Sequence, residues 1–173
     1  SQGLPTEYID IPFTPFLVVA GNRRILMDTG LGEFGGATTG KLLAHMAAAG
    51  FQPADIDTVL ITHYHGDHIG GLRNKAGDFV FSKAKVMVPA PEHAFWMDDA
   101  KMAAAPEALK GGFNNVRRVF AQMPADMLVR FEPGSEVVPG IRSVAAFGHT
   151  PGHTLFEVGS GRQMFAYVGD VTN

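Results

Sequence analysis

The 173-residue sequence predicts an α/β sandwich. Three observations carry that prediction. Two apolar, β-type runs joined by a turn open the chain, two stretches of helical composition occupy its middle, and a series of β-type runs closes it. With 46% hydrophobic and 18% charged residues there is apolar material for one sizeable core, so residues 1–173 read as a single domain.

The runs FLVVA (16–20) and RILMDT (24–29) flank the turn dipeptide Gly21-Asn22, the signature of a β-hairpin that leaves Asp28 at a strand end. A glycine-rich stretch (30–40) leads into KLLAHMAAAG, where Leu42, Leu43, Met46 and Ala49 mark one helical face and Gly50 a C-terminal cap. DTVLIT (57–62) is a short β-branched strand, and AKVMVPA (84–90) is another. Residues 91–105 have helical composition with Pro91 near the first position, and a second helix is expected over 111–123. Strands are expected at 127–131, 141–147, 153–159 and 163–170, while FEPGSEVVPG reads as turn. There is no short-period repeat and no low-complexity linker.

Composition excludes several classes of function. A net charge of -3 offers no basic surplus for a phosphate backbone, which disfavours nucleic acid as a partner. With no cysteine, neither a disulfide framework nor a thiolate metal site is available, so any metal must be held by histidine and carboxylate. The start lacks the charged and apolar regions of a leader, and no apolar run is long enough to span a membrane. A soluble protein with no membrane partner is expected, cytoplasmic, or periplasmic or secreted if a leader has been removed.

The chemistry concentrates in THYHGDHIGG (62–71), which puts three of the seven histidines beside an aspartate. Neutral imidazole is a good ligand for zinc and similar ions, and a carboxylate adds hard oxygen and negative charge. In an extended segment residues two apart point the same way, so His63 and His65 can grip one ion while Asp67 and His68 turn toward a second. Gly66, Gly70 and Gly71 let the backbone curl tightly there. The cluster follows directly on a strand, where loops commonly carry function.

THYHGDHIGG resembles the H-x-H-x-D-H signature of the metallo-β-lactamase superfamily. MDTG (27–30), GHTPGHT (148–154) and YVGD (167–170) resemble its other motifs, in the expected order. The resemblance covers the chain from about residue 13 onward. It implies an αββα sandwich with a dinuclear site at the edge between two sheets. On that pattern His63, His65 and His149 bind the first metal, Asp67 and His68 the second, and Asp170 bridges both. His153 then supports the site without binding metal, and Asp28 is expected to do so by accepting a hydrogen bond from a ligand imidazole or the cluster loop, the alternative being a cap on the turn before Thr29-Gly30. Stretches such as PEHAFW and VPGIRSVAAFGHTPGHT look most like the methyl parathion hydrolase-like subgroup, in which Phe34, Trp96 and Phe113 match aromatic positions lining a leaving-group pocket. His45 and His93 read as ordinary surface or core-edge residues.

The resemblance implies two divalent ions, zinc being expected, and a hydroxide held between them that attacks a small neutral ester, lactone or phosphotriester. Asp67 and Asp170 are the carboxylates expected at the reacting centre. Two alternatives remain open: an iron-dependent oxidoreductase of the same fold, and a metal-binding fragment without turnover. The superfamily fold runs longer than this chain and carries one more histidine ligand after the bridging aspartate. The sandwich is therefore expected to be incomplete at both ends, with a second metal position poorer in ligands, and to form a homodimer or pair with a missing segment.

Overall fold

A computed structural model describes residues 12–171. The residues before Pro12, which include most of the opening stretch SQGLPTEYIDIPFTP, lie outside the described residues. The chain order is β1 (Phe16–Ala20), β2 (Arg23–Met27), α1 (Leu42–Ala48), β3 (Thr58–Leu60), α2 (Gly66–Ile69), β4 (Lys85–Pro89), α3 (Ala90–Trp96), α4 (Asp99–Ala104), α5 (Glu107–Phe120), β5 (Leu128–Phe131), β6 (Glu136–Val138), β7 (Ile141–Ala145), β8 (Thr154–Ser160) and β9 (Gln163–Tyr167).

The strands form two sheets. The first has the order β1-β2-β3-β4-β5, with β1 antiparallel to β2 and the others parallel; the second, β6-β7-β8-β9, is antiparallel throughout. Parallel neighbours need crossover connections, and α1, α3, α4 and α5 lie in those connections.

Side-chain alternation assigns the faces of the first sheet. Leu26, Val59, Val86 and Val88 point into a core shared with Met46 of α1, Trp96 of α3 and Phe113, Val116 and Val119 of α5. Their neighbours Ile25, Met27 and Leu60 point the other way, against Val138, Ile141 and Phe156 of the second sheet. Among the described residues the layers therefore run helix, sheet, sheet, which makes an α/β sandwich with three of the four layers of αββα.

The structure departs from the expected elements where side chains outside the local pattern intervene. The stretch 91–105 is two helices, because the Asp98 carboxylate accepts from the Ala100 and Lys101 N–H groups and starts α4 afresh. Helix α5 begins at Glu107 and runs through Gly111 and Gly112 instead of starting there. A Cβ on Gly112 would stand 3.1 Å from the Trp96 indole, so glycine lets α5 approach α3. The stretch read as turn contains β6, three residues long and paired with β7.

The topology brings ligand-type residues to one edge. Asp28 follows β2, His63 follows β3 and Glu92 follows β4, all at the C-terminal ends of parallel strands, where open α/β sheets commonly bind ligands. The β7–β8 connection brings His149 and His153, and Asp170 follows β9.

Phe156 is fully buried between the sheets. Truncating it (Phe156→Ala) should destabilise the fold by roughly 3–5 kcal/mol, read as a lower midpoint in chemical denaturation with an unchanged slope.

Candidate metal centre

The histidines of THYHGDH are held by the ends of β2 and β3. Strand pairing sets Met27 opposite Leu60, so Asp28 and Thr62 continue side by side beyond the sheet. Asp28 Oδ1 accepts the Thr62 N–H at 2.8 Å and Oδ2 accepts the Thr62 hydroxyl at 2.8 Å. The same Oδ2 faces His68 Nδ1 at 2.7 Å and accepts from the Tyr167 hydroxyl at 3.1 Å. Asp28 is 1% exposed and adopts φ 55°, a left-handed conformation that aspartate tolerates better than most residues.

This network fixes imidazole protons by elimination. Thr62 has one hydroxyl hydrogen, and a carboxylate only accepts, so that hydrogen goes to Asp28. His63 Nδ1, 3.0 Å from the Thr62 oxygen, must then be the donor, which leaves the lone pair on Nε2. His68 Nδ1 faces a carboxylate and carries a proton for the same reason. Both His63 Nε2 and His68 Nε2 are buried and have no hydrogen-bond partner among the described residues.

His153 is oriented oppositely. Its Nε2 accepts the Asp170 N–H at 3.1 Å, so its lone pair is already used and its role is to hold the Asp170 backbone.

Two groups of ligand atoms converge. His63, His65 and His149 form one, and His63, His68 and Asp170 the other, each with its atoms within 4.8 Å of one another. Asp170 reaches both: Oδ1 lies 3.4 Å from His68 Nε2 and Oδ2 lies 3.3 Å from His149 Nε2. Asp67 Oδ2 stands 3.5 Å from His68 Nε2. All six residues named as ligands from sequence thus meet in one place.

Burial sets the electrostatics. It drives the His63 pKa far below its ordinary value, with His68 beside it adding to the effect, and His65 is lowered by burial and by His149. Both imidazoles are therefore neutral near pH 7, the form that offers a lone pair to a cation. Burial would also lower His68, but Asp28 and Asp67 outweigh it and push it up to about 10. Burial raises the Tyr167 phenol, and Asp28 raises it further, so Tyr167 stays a donor. His68 sits where three carboxylates, Asp28, Asp67 and Asp170, favour positive charge. The buried, neutral His63 with its orphaned Nε2, together with His65, His68 and His149 converging on the Asp170 carboxylate, is a donor set for divalent cations, and these residues fit such ions.

The aromatic residues expected around a leaving group do not line the cavity at the cluster. Trp96 and Phe113, expected in a leaving-group pocket, are buried in the helix-side core at 5% and 1% exposure, with ring centroids 4.8 Å apart. Phe34 is exposed and lies under the Arg118 guanidinium, 4.1 Å from its ring centroid. Gly70 and Gly71 allow the tight curl expected of them, since a Cβ on Gly71 would stand 2.3 Å from Thr29 O and one on Gly70 2.7 Å from Leu31 O. The cavity against the cluster, about 310 Å³, is instead lined by Phe13, Phe16 and Tyr167 beside Asp67, His68 and Asp170. Of the other two histidines, His45 is exposed, and His93 Nδ1 lies 2.9 Å from the Tyr64 hydroxyl, on the helix side of the cluster loop.

One residue at the centre escaped the sequence reading. Glu92 is fully buried, and its carboxylate accepts from the Tyr64 N–H at 2.9 Å, the Trp96 indole at 2.8 Å and the Gly152 N–H at 2.7 Å. In sequence it is only an acidic residue in the first turn of a helix, an ordinary place for one.

The sequence profile of the metallo-beta-lactamase superfamily matches residues 14–173. The chain belongs to that superfamily. A solved structure of AbOPH, a hydrolase in the beta-lactamase superfamily, superposes with a TM-score of 0.82 at 30% identity, over 90% of this chain and 55% of that one. AidC, a dizinc quorum-quenching lactonase solved with a product of the N-hexanoyl-L-homoserine type, gives 0.75 at 31% identity, over 89% of this chain and 54% of that one. An N-acyl homoserine lactonase from Bacillus sp. is 26% identical over 86% of this chain and 59% of its own length. The chain thus spans little more than half the length of these superfamily members.

Asp28→Ala would leave the Thr62 amide and hydroxyl and His68 Nδ1 without their shared acceptor, while the Tyr167 hydroxyl keeps the Thr14 carbonyl at 3.1 Å. The expected loss is on the order of 3 kcal/mol or more, measured by denaturation in the presence of chelator so that metal release does not contribute.

Proposed function

We propose that the chain carries the dinuclear centre of a hydrolase acting on small, neutral esters, lactones or phosphotriesters, with zinc as the resident metal. The observation that carries this reading is Asp170, whose two carboxylate oxygens face the two groups of converging imidazoles, one each. In this reading His63, His65 and His149 hold the first ion, Asp67 and His68 hold the second, and Asp170 is shared.

Bound there, two divalent ions supply a nucleophile by lowering the pKa of water from about 16 toward about 7, and they polarise the oxygen under attack. The protein's part is positioning. Thr62 and Asp28 fix which nitrogens of His63 and His68 face the centre. His153 holds the Asp170 main chain, while Asp67 and Asp170 place negative charge beside the reacting atoms. No serine or cysteine nucleophile is needed.

The adjoining cavity supports the substrate class. Phe13, Phe16 and Tyr167 give it an apolar wall; among the described residues its only ionisable walls are acidic side chains, His68 and Tyr167, and no lysine or arginine lines it. A multiply charged anion would find no clamp, whereas an apolar, uncharged ester or lactone would fit. The likeness to the hydrolase AbOPH and to the lactonase AidC supports hydrolysis without fixing which of these substrates is the natural one.

The test is metal analysis of the full-length protein together with a panel of lactone, aryl-ester and phosphotriester substrates. Two zinc ions per chain and turnover of a panel member are expected. His63→Ala or His65→Ala should retain the fold by circular dichroism, lose metal, and reduce hydrolysis by at least about 1.4 kcal/mol in barrier terms, a tenfold drop or more. Iron with oxygen consumption would point to an oxidoreductase instead, and metal without turnover of any panel member would reject the hydrolase assignment.

A further inference from the structure

The geometry points to Glu92 as a positioning residue that clamps the two metal-ligand loops together, so that its carboxylate sets the separation of His65 from His149. This inference rests on the metal-centre reading above. Tyr64, whose N–H Glu92 accepts through Oε1, stands between His63 and His65. Gly152, whose N–H it accepts through Oε2, stands between His149 and His153. One side chain therefore hydrogen-bonds the backbone of both loops, which are otherwise distant in sequence and belong to different sheets. Across this clamp His149 Nε2 comes within 2.9 Å of His65 Nδ1.

A second observation is steric. A Cβ on Gly152 would stand 2.2 Å from Glu92 N and 2.6 Å from Glu92 Cα. The GHTPGHT loop is thus seated directly on the first turn of α3, and only glycine permits the contact. The Trp96 indole donates to Oε1 from one helical turn further on and keeps the carboxylate aimed at the loops. Glu92 accepts three hydrogen bonds, donates none, and has no ion-pair partner among the described residues. Such a group suits backbone amides and serves no surface function.

Glutamine has the same shape and one acceptor oxygen fewer. In Glu92→Gln either the Gly152 N–H or the pair from Tyr64 and Trp96 meets an NH₂ group, so one loop is released. The experiment is a competition titration of the full-length protein with zinc against a chromophoric chelator, alongside the visible spectrum of the cobalt(II)-loaded form. Outer partners of metal ligands commonly change metal affinity 10- to 100-fold, so at least tenfold weaker binding is expected in Glu92→Gln. The cobalt spectrum should change as well, which a loss of folding stability alone would not produce. Gly152→Ala, which keeps the carboxylate but lifts the loop from α3, should weaken binding in the same direction; it decides the matter if Glu92→Gln does not fold. A folded variant with parental affinity and spectrum would overturn the assignment of Glu92 alone. A parent protein that binds no zinc would overturn the metal-centre reading together with it.

Discussion

The buried Asp28 carboxylate is the constraint on which the centre depends. It lies where β2 ends, and it accepts at once from the neighbouring strand end, from His68 and from Tyr167 of the second sheet. An acceptor with no proton of its own imposes direction on every group around it. Thr62 must give its hydrogen to Asp28 and take one from His63, and His68 must turn Nδ1 inward. Both imidazoles then present Nε2 to the same space. The left-handed backbone at Asp28 is a local cost that only such over-determination can hold in place.

Much of the fold was legible because its layers follow simple apolar patterns. ILM and VL are apolar runs without a polar face, as strands buried on both sides are: Leu26 and Val59 pack toward the helices, and Ile25, Met27 and Leu60 toward the second sheet. What sequence did not reveal came from contacts between elements. The break at Asp98 depends on a side chain capping new N–H groups inside a stretch of good helix formers. The passage of α5 through Gly112 depends on the Trp96 ring beside it. β6 is three residues between turn signals, too short for its own pattern and visible only through its pairing with β7.

The site divides along the same line. Three histidines and an aspartate in six positions are unusual chemistry for so small a window, and the structure brings His63, His65, His68, His149 and Asp170 together with Asp67 beside His68. The aromatic residues were not legible in this way. Nothing local distinguishes a tryptophan that lines a pocket from one that donates its indole proton to a buried carboxylate, and Trp96 does the latter. Glu92 was invisible for the complementary reason. Both loops that it joins are bound through backbone N–H groups, which every residue but proline carries, and the glycine at 152 does not by itself name the carboxylate seated against it.

Asp28 and Glu92 solve one problem from two sides. The converging ligand-type residues come from both sheets: His63, His65, Asp67 and His68 from the first, His149 and Asp170 from the second. The contacts joining them span long stretches of chain, 84 residues between His65 and His149 and 139 between Asp28 and Tyr167. Closing such loops costs entropy that no single contact returns. The inter-sheet core of Leu60, Ile141 and Phe156 brings the two edges near each other, but apolar packing is non-directional and tolerates small shifts. Hydrogen bonds to a buried carboxylate are directional and lose much of their strength when misaligned. The apolar layers therefore set the approach of the two sheets, while Asp28 on the His68 side and Glu92 on the His65 side set the final positions of the converging imidazoles.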